Sequence, residues 1–156
     1  MFCVQCEHTI RTPQGDAGCS FARGMCGKTS EVSDLQDMLV HLLQAVSTYA
    51  VAARKVGIVD TEIDAYVQQA FFSTLTNVNF DAERIIDFSR RAEMYRNDLR
   101  ARYEAACADK GITTEQLPTA AHYRLPDAKT VMLSDALSFA LNRQKKEVGE
   151  DVIGLR

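Results

Sequence analysis

The sequence predicts an all-α fold, a helical bundle of about four helices preceded by an irregular, cysteine-rich N-terminal loop. Apolar residues recur at three- and four-residue steps over most of the chain after residue 30, whereas no segment alternates apolar and polar residues. Four of the eight glycines fall within the first 29 residues, where neither period is present. Because such a loop cannot order itself by apolar burial, we expect it to need another source of order.

Composition excludes several classes of protein. The chain has 156 residues, of which 46% are hydrophobic and 25% are charged, and its net charge is −3. These values are typical of one soluble globular domain, and they exclude a basic nucleic-acid surface. No apolar run approaches the ~20 residues of a membrane helix, and the N-terminus lacks the features of a secretory signal. We therefore expect a cytoplasmic protein without nucleic-acid or membrane partners.

The first predicted helix begins at Ser33 and Gln36, which form a capping box. Lys55 in the last turn and Gly57 just beyond it indicate where this helix ends. The residues between them form one apolar stripe, which comprises Leu35, Met38, Leu39, Leu42, Val46, Tyr49, Ala50 and Ala53.

Two further helices carry similar signals. The second is predicted to begin at about Thr61, and the third to follow the capping residue Asp81 and to end at Lys110–Gly111. The stripe of the second comprises Ile63, Tyr66, Val67, Ala70, Phe71 and Leu75. The stripe of the third comprises Ile85, Phe88, Ala92, Tyr95, Leu99, Tyr103 and Ala106. Arginines that alternate with acidic residues predict a solvated face on the third helix, namely Arg84, Arg90, Arg91, Arg96, Arg100 and Arg102.

A fourth helix is predicted over roughly 128–146, after a segment interrupted by Pro118 and Pro126. Residues 148–156 resemble the beginning of another amphipathic helix, so we expect the chain to be a piece of a longer protein, with a frayed tail as the alternative. Helices that packed on further domains would leave apolar faces exposed, and we expect such faces to favour self-association.

Four of the five cysteines lie within the first 26 residues, with the spacing C-x2-C-x12-C-x6-C: Cys3, Cys6, Cys19 and Cys26. Soft ligands gathered in a short segment predict a metal or iron–sulfur site. Iron–sulfur clusters are held by four thiolates, whereas zinc ribbons use two Cys-x2-Cys pairs and this chain has one. A reducing compartment disfavours two disulfides. Spacing therefore favours an iron–sulfur cluster slightly over zinc, with disulfides well behind.

Several motifs resemble those of one family. The chain opens with MFCVQCEHT, the segments GCS and GMCGKT surround the third and fourth cysteines, and AFFSTLTNVNFD spans residues 70–81. Together with SDLQD at 33–37 and GEDVIGLR at 149–156, these motifs closely resemble the hybrid cluster proteins, also called hydroxylamine reductases. The resemblance covers the whole chain and is weakest between residues 96 and 126.

The resemblance implies a cytoplasmic redox enzyme that reduces hydroxylamine to ammonia and handles nitric oxide. It implies that Cys3, Cys6, Cys19 and Cys26 hold the first cluster, which is [2Fe-2S] in long-spaced members such as this one and [4Fe-4S] in shorter-spaced relatives. The ligands of the second, hybrid iron–sulfur–oxygen cluster lie on later domains, so the resemblance implies no catalytic residue in this chain. It also implies an NADH-dependent iron–sulfur/flavin reductase as the electron donor.

The predicted organisation is an iron–sulfur cluster-binding loop, residues 1–29, followed by a helical bundle, residues 30–156. We expect the loop to transfer electrons towards a centre that the chain lacks, and we expect the chain alone not to reduce hydroxylamine. The alternative is a structural or interaction domain whose cysteine loop holds zinc or no metal.

Other chemically active side chains have simpler interpretations. His8 is interpreted as a hydrogen-bond donor near the cysteines rather than as a ligand, and His41 as an ordinary polar helix residue. Lys28 and Arg23 either offset the negative charge of a thiolate-ligated cluster or only solvate the loop. Cys107 is predicted to be a small, semi-buried apolar residue.

Overall fold

The computed structural model describes residues 3, 5–6, 19, 23–75 and 77–140. Within these residues the fold is all-α, as predicted, with four α-helices and one short 3-10 helix. In chain order they are α1 (Ser30–Lys55), α2 (Thr61–Ser73), α3 (Ala82–Asp109), the 3-10 helix (Thr119–His122) and α4 (Lys129–Phe139). No helix in these ranges is long and apolar enough to cross a membrane.

Helix α1 lies at the centre of the bundle and packs against α2, α3, α4 and the 3-10 helix. The predicted apolar stripe is buried, and the side chains with no exposed surface include Leu35, Met38, Leu39, Leu42 and Val46. Burial also extends beyond that stripe, to Val32, Leu43, Ala45 and Ala52. Because each fully buried Leu or Met contributes about 1.5–3 kcal/mol, α1 supplies much of the apolar stabilisation of the fold.

The predicted capping box at the start of α1 is wrong. The helix begins one turn earlier, with Thr29 as its N-cap, and the Thr29 hydroxyl accepts a hydrogen bond from the Val32 N–H at 3.3 Å. Ser33 is instead buried inside the helix, and the Gln36 amide is engaged by partners outside it. The helix ends where predicted, since Gly57 has a φ of +88° and its N–H binds the Arg54 carbonyl.

The predicted beginnings of α2 and α3 are confirmed. The Asp60 carboxylate accepts hydrogen bonds from the N–H groups of Glu62 and Ile63, each at 3.1 Å. Asp81 does the same for the first turn of α3. An aspartate at the N-cap satisfies backbone donors that would otherwise have no partner.

Two members of the apolar stripe predicted for α2 are not buried. Ile63, Tyr66 and Ala70 pack inward, whereas Phe71 is 51% exposed and Leu75 is 42% exposed. Because successive helical residues differ in direction by about 100°, Phe71 points away from the face that carries Ala70. The exposed apolar surface continues through the rest of this segment, with Phe72, Val78 and Phe80. Whether it drives self-association stays a prediction.

Helix α4 is shorter than predicted. It ends at Phe139 because Ala140 has an extended backbone, with φ −59° and ψ 134°. Met132 and Ala136 are buried as predicted, but Leu137 is 45% exposed. The rest of the predicted helix and the segment 148–156 lie outside the described residues.

Arg96 departs from the solvated face predicted for α3. Its residue is 3% exposed, and its guanidinium donates to the carbonyls of Ala121 and Tyr123, at 3.2 and 2.6 Å, and to Glu93 at 3.1 Å. The segment around the 3-10 helix leaves these carbonyls without helical partners, so a buried cation with several donors satisfies them. The exposed arginines of α3 are Arg84, Arg90, Arg91 and Arg100.

Replacing Arg96 by methionine is expected to lower the free energy of unfolding by about 2–4 kcal/mol, because the buried carbonyl of Ala121, the partly buried carbonyl of Tyr123 and Glu93 lose their donor. Urea denaturation followed by circular dichroism measures the change. Arg90→Met is the matched control, since the Arg90 side chain is 61% exposed and its loss should change stability by less than about 0.5 kcal/mol. Equal stability of the two variants would contradict the assigned role of Arg96.

His41 is not an ordinary polar helix residue. Its ring lies half-buried between α1 and α4, stacked on Phe139 with a centroid separation of 3.8 Å and edge-on to Tyr123 at 5.2 Å. Burial lowers the pKa of His41 below its usual range, because the charged ring would lose hydration. The neutral ring is therefore the form that packs α4 against α1.

The stabilisation that His41 contributes is expected to fall as the pH decreases from about 7 towards 5. The folded-state pKa of His41 lies below its unfolded value, so the contribution of the neutral ring is complete above the unfolded pKa and is lost as the pH falls through the folded pKa. His41→Phe should keep the stack and weaken this pH dependence, measured by urea denaturation at each pH. His122→Gln should leave it unchanged, since His122 is exposed; an unaltered pH profile in His41→Phe would refute the assignment.

Candidate metal centre

The backbone brings together two of the four N-terminal cysteines, Cys3 and Cys19. The Cys3 N–H donates to the Cys19 carbonyl at 3.2 Å, and the Cys19 N–H donates to the Cys3 carbonyl at 2.8 Å. Residues that exchange both bonds in an antiparallel bridge lie directly opposite each other and direct their side chains to the same face. The bridge therefore places two thiols that are distant in sequence side by side, with Cys19 buried and Cys3 half-buried.

Cys26 lies in a tight turn that leads directly into α1. The Gly24 N–H donates to the Lys28 carbonyl at 2.7 Å, and the Gly27 N–H donates to the Gly24 carbonyl at 2.9 Å. Gly27 has a φ of +91°, in the region that side chains with a Cβ rarely adopt. The turn thus fixes the half-buried Cys26 close to the N-terminus of the central helix.

The segment that carries Cys3 and Cys6 lies against the connection between α2 and α3. Gln5, between the two cysteines, donates from Nε2 to the carbonyl of Thr74 at 3.0 Å. Cys6 is half-buried. The motif at residues 70–81 and the cysteine motif, which stood apart in the sequence, are therefore in direct contact.

The described residues do not show an assembled metal site. No group of three or more His, Cys, Asp or Glu side chains among them is positioned to hold a metal ion, and none of the five cysteines forms a disulfide. His8 lies outside the described residues. The four N-terminal cysteines nevertheless fit a centre of soft metal ions, because thiolates are the ligands that such ions prefer. Their loop also has too little apolar burial to order itself without another source of stabilisation.

Lys28 does not solvate the loop, contrary to one of its two predicted roles. Its residue is 1% exposed, and its ammonium group donates to the Gln36 side-chain oxygen at 2.7 Å and to the Gln5 side-chain oxygen at 3.2 Å. Sequence reasoning missed the roles of both glutamines. The burial of Gln36 could have been predicted, because it lies four residues after the buried Val32 and three before the buried Leu39, on the same face of the helix. No pattern in the sequence indicated a role for Gln5.

Two carboxyl groups on α1, those of Asp34 and Asp37, have raised pKa values. The pKa of Asp37 is raised to about 7, because burial penalises the carboxylate and Asp34 repels it, while Lys28 acts in the opposite direction. Burial also raises the pKa of Asp34. Burial on α1 therefore disfavours the charged form of both side chains.

Cys107 is not part of the candidate centre. It is 1% exposed in the hydrophobic core, where it packs as the predicted small apolar residue. Its backbone carbonyl accepts a hydrogen bond from the Ile112 N–H at 2.9 Å, which closes the end of α3. Cys107 therefore offers a buried reference thiol remote from the N-terminal loop in sequence.

Replacing Asp37 by asparagine is expected to stabilise the chain by about 2–4 kcal/mol at pH 8 and by much less at pH 4. The pKa of Asp37 is higher in the folded than in the unfolded chain. The stabilisation from its protonated form is therefore complete below the unfolded pKa and is lost as the pH rises through about 7. Denaturation at the two pH values measures the difference. Asp87→Asn is the control, since that carboxylate is exposed on α3. A gain that is the same at both pH values would contradict a buried, titrating carboxyl group.

The comparison with protein families gives one match that spans the chain. A family model described as the Prismane/CO dehydrogenase family matches residues 1–156. This family contains the hybrid cluster proteins, so the resemblance found in the cysteine motifs and in residues 70–81 is confirmed. Its members are oxidoreductase-related metalloproteins that bind iron–sulfur or hybrid clusters. The chain belongs to the Prismane/CO dehydrogenase family.

Proposed function

We propose that the chain is the N-terminal electron-transfer part of a hydroxylamine reductase of the hybrid cluster type. In this proposal Cys3, Cys6, Cys19 and Cys26 hold an iron–sulfur cluster. The backbone pairing of Cys3 with Cys19 carries the proposal, because it joins thiols from both halves of the loop. Membership of a family that binds iron–sulfur or hybrid clusters favours iron over zinc.

A cluster bound by these thiols would supply reversible one-electron transfer. The chain's own residues would set the conditions for it. Cys19 is buried, so its thiolate would be shielded from water, and the ammonium of Lys28 lies two residues from Cys26. Solvent exposure, hydrogen bonds and local charge are the variables that tune the potential of such centres.

The finer assignments rest on the resemblance in the cysteine motifs. The long spacing favours a [2Fe-2S] cluster over a [4Fe-4S] cluster. An NADH-dependent iron–sulfur/flavin reductase in the cytoplasm is the proposed electron donor, and hydroxylamine or nitric oxide is the proposed substrate of the full-length enzyme. The chain alone is not expected to reduce hydroxylamine, since the resemblance assigns the ligands of the hybrid cluster to later domains.

Anaerobic purification tests the cluster directly. The protein is expected to be brown and to contain about two irons and about two acid-labile sulfides per chain, the composition of a [2Fe-2S] cluster with four thiolate ligands. Iron, sulfide and zinc analysis on the same sample measures this. Four irons and four sulfides per chain would show that the cluster is [4Fe-4S] and not [2Fe-2S]. The proposed electron-transfer role would still stand.

Two cysteine variants make the test specific. Cys19→Ser should lose most of the iron and sulfide, whereas Cys107→Ser should keep both, because Cys107 lies in the core of the bundle. A colourless wild-type protein with one zinc per chain would overturn the proposal in favour of a structural or interaction domain.

A further inference from the structure

A buried lysine, Lys28, lies at the base of the cysteine loop. Lys28 is 1% exposed, and within the described part of the chain both acceptors of its ammonium group are neutral amide oxygens. Burying an ammonium group costs several kcal/mol unless its donors are satisfied. The ammonium group must therefore keep both amide oxygens within hydrogen-bond distance. The groups that hold the Gln5 and Gln36 side chains in place consequently also fix the position of Lys28.

The two amides are held in matching ways. Gln5 accepts from Lys28 and donates to the carbonyl of Thr74 at 3.0 Å. Gln36 accepts from Lys28 and donates to the carbonyl of Asn79 at 3.1 Å. Each glutamine thus bridges the same ammonium to the same connection between α2 and α3. We name this set of groups, formed by Lys28, Gln5, Gln36 and the carbonyls of Thr74 and Asn79, the Lys28 latch.

The latch joins two segments of the candidate centre to the bundle. Gln5 lies between Cys3 and Cys6, and Lys28 closes the Cys26 turn through its carbonyl. Gln36 belongs to the buried helix α1 of the bundle. Cys19 is attached indirectly, through its backbone bridge to Cys3. Helix α1 itself has an extensive apolar core that does not involve the latch.

We propose that Lys28 is a positioning residue, whose ammonium group holds the segments carrying Cys3, Cys6 and Cys26 against α1 and the α2–α3 connection through Gln5 and Gln36. The latch consists only of groups of the chain itself. Its purpose, which is to pre-organise the thiols for a cluster, rests on the proposed function.

Thiol modification of the metal-free, reduced protein tests the latch without any cluster. Cys19 and Cys107 are both buried, so each reacts with a thiol reagent only through local opening. Lys28→Met keeps an unbranched side chain and removes the donor. The Lys28→Met variant is expected to raise the modification rate of Cys19 about tenfold relative to that of Cys107, because the loop loses its charge-assisted hydrogen bonds and opens more often. Mass spectrometry of the labelled peptides measures both rates in one sample.

Lys55→Met is the matched control, because that lysine is exposed in the last turn of α1 and is not part of the latch. It should leave the Cys19 rate unchanged. An unchanged Cys19 rate in Lys28→Met would overturn the latch, and so would an equal rise at Cys107, which would indicate general loss of structure.

Gln5→Ala decides the matter if Lys28→Met does not fold. Gln5 is exposed, so its truncation leaves the bundle intact and removes only the bridge from Lys28 to Thr74. A faster reaction at Cys19 with full helical content would support the latch, and no change would overturn it.

The loaded protein separates the latch from the proposed function. If the wild type binds iron, Lys28→Met should lose iron to a chelator several-fold faster than Lys55→Met. Equal iron loss together with equal thiol rates would overturn the latch and leave the proposed function standing. If the wild type binds no iron but Lys28→Met still exposes Cys19, the proposed function fails and the latch stands.

Discussion

Burial of α1 on several sides is the constraint on which the rest of the structure depends. This helix contacts every other helix of the described fold, so its register fixes where α3, α4 and the 3-10 helix pack. Its first turn follows the Cys26 turn without an intervening linker, since Thr29 is both the end of that turn and the N-cap of α1. The candidate centre is therefore oriented by the central helix of the bundle, which suits a site that must keep a fixed geometry.

The helical part of the fold could be predicted from the sequence because its signals are local. Asp60 and Asp81 cap the helices that follow them, and Gly57 ends α1, as the residue types require. Errors arose where tertiary contacts override local preference. Ser33 fits a capping box in sequence, but burial of that turn moves the N-cap to Thr29. Arg96 has the surroundings of a surface residue, yet carbonyls far along the chain bind it in the interior.

The candidate site could be predicted only as a set of ligand types. Cysteine spacing marks Cys3 and Cys19 as chemically related, but only the backbone bridge shows that they face each other. The contact between Gln5 and Thr74 joins residues 69 positions apart, and no periodicity in a single sequence encodes such a pairing. Metal binding is coupled to the folding of loops of this kind, so composition is a more direct signal of the ligand set than any local structural pattern in the sequence.

The long separation between Gln5 and Thr74 has a consequence for the order in which the protein forms. Local helical contacts form quickly, whereas contacts between distant residues must wait for the intervening chain. During synthesis the cysteines at residues 3–26 leave the ribosome before the carbonyls of Thr74 and Asn79 that anchor their loop are made. The thiols are therefore sheltered only after the helices that follow them have folded, and a cluster of the kind proposed would enter a formed site only after that step.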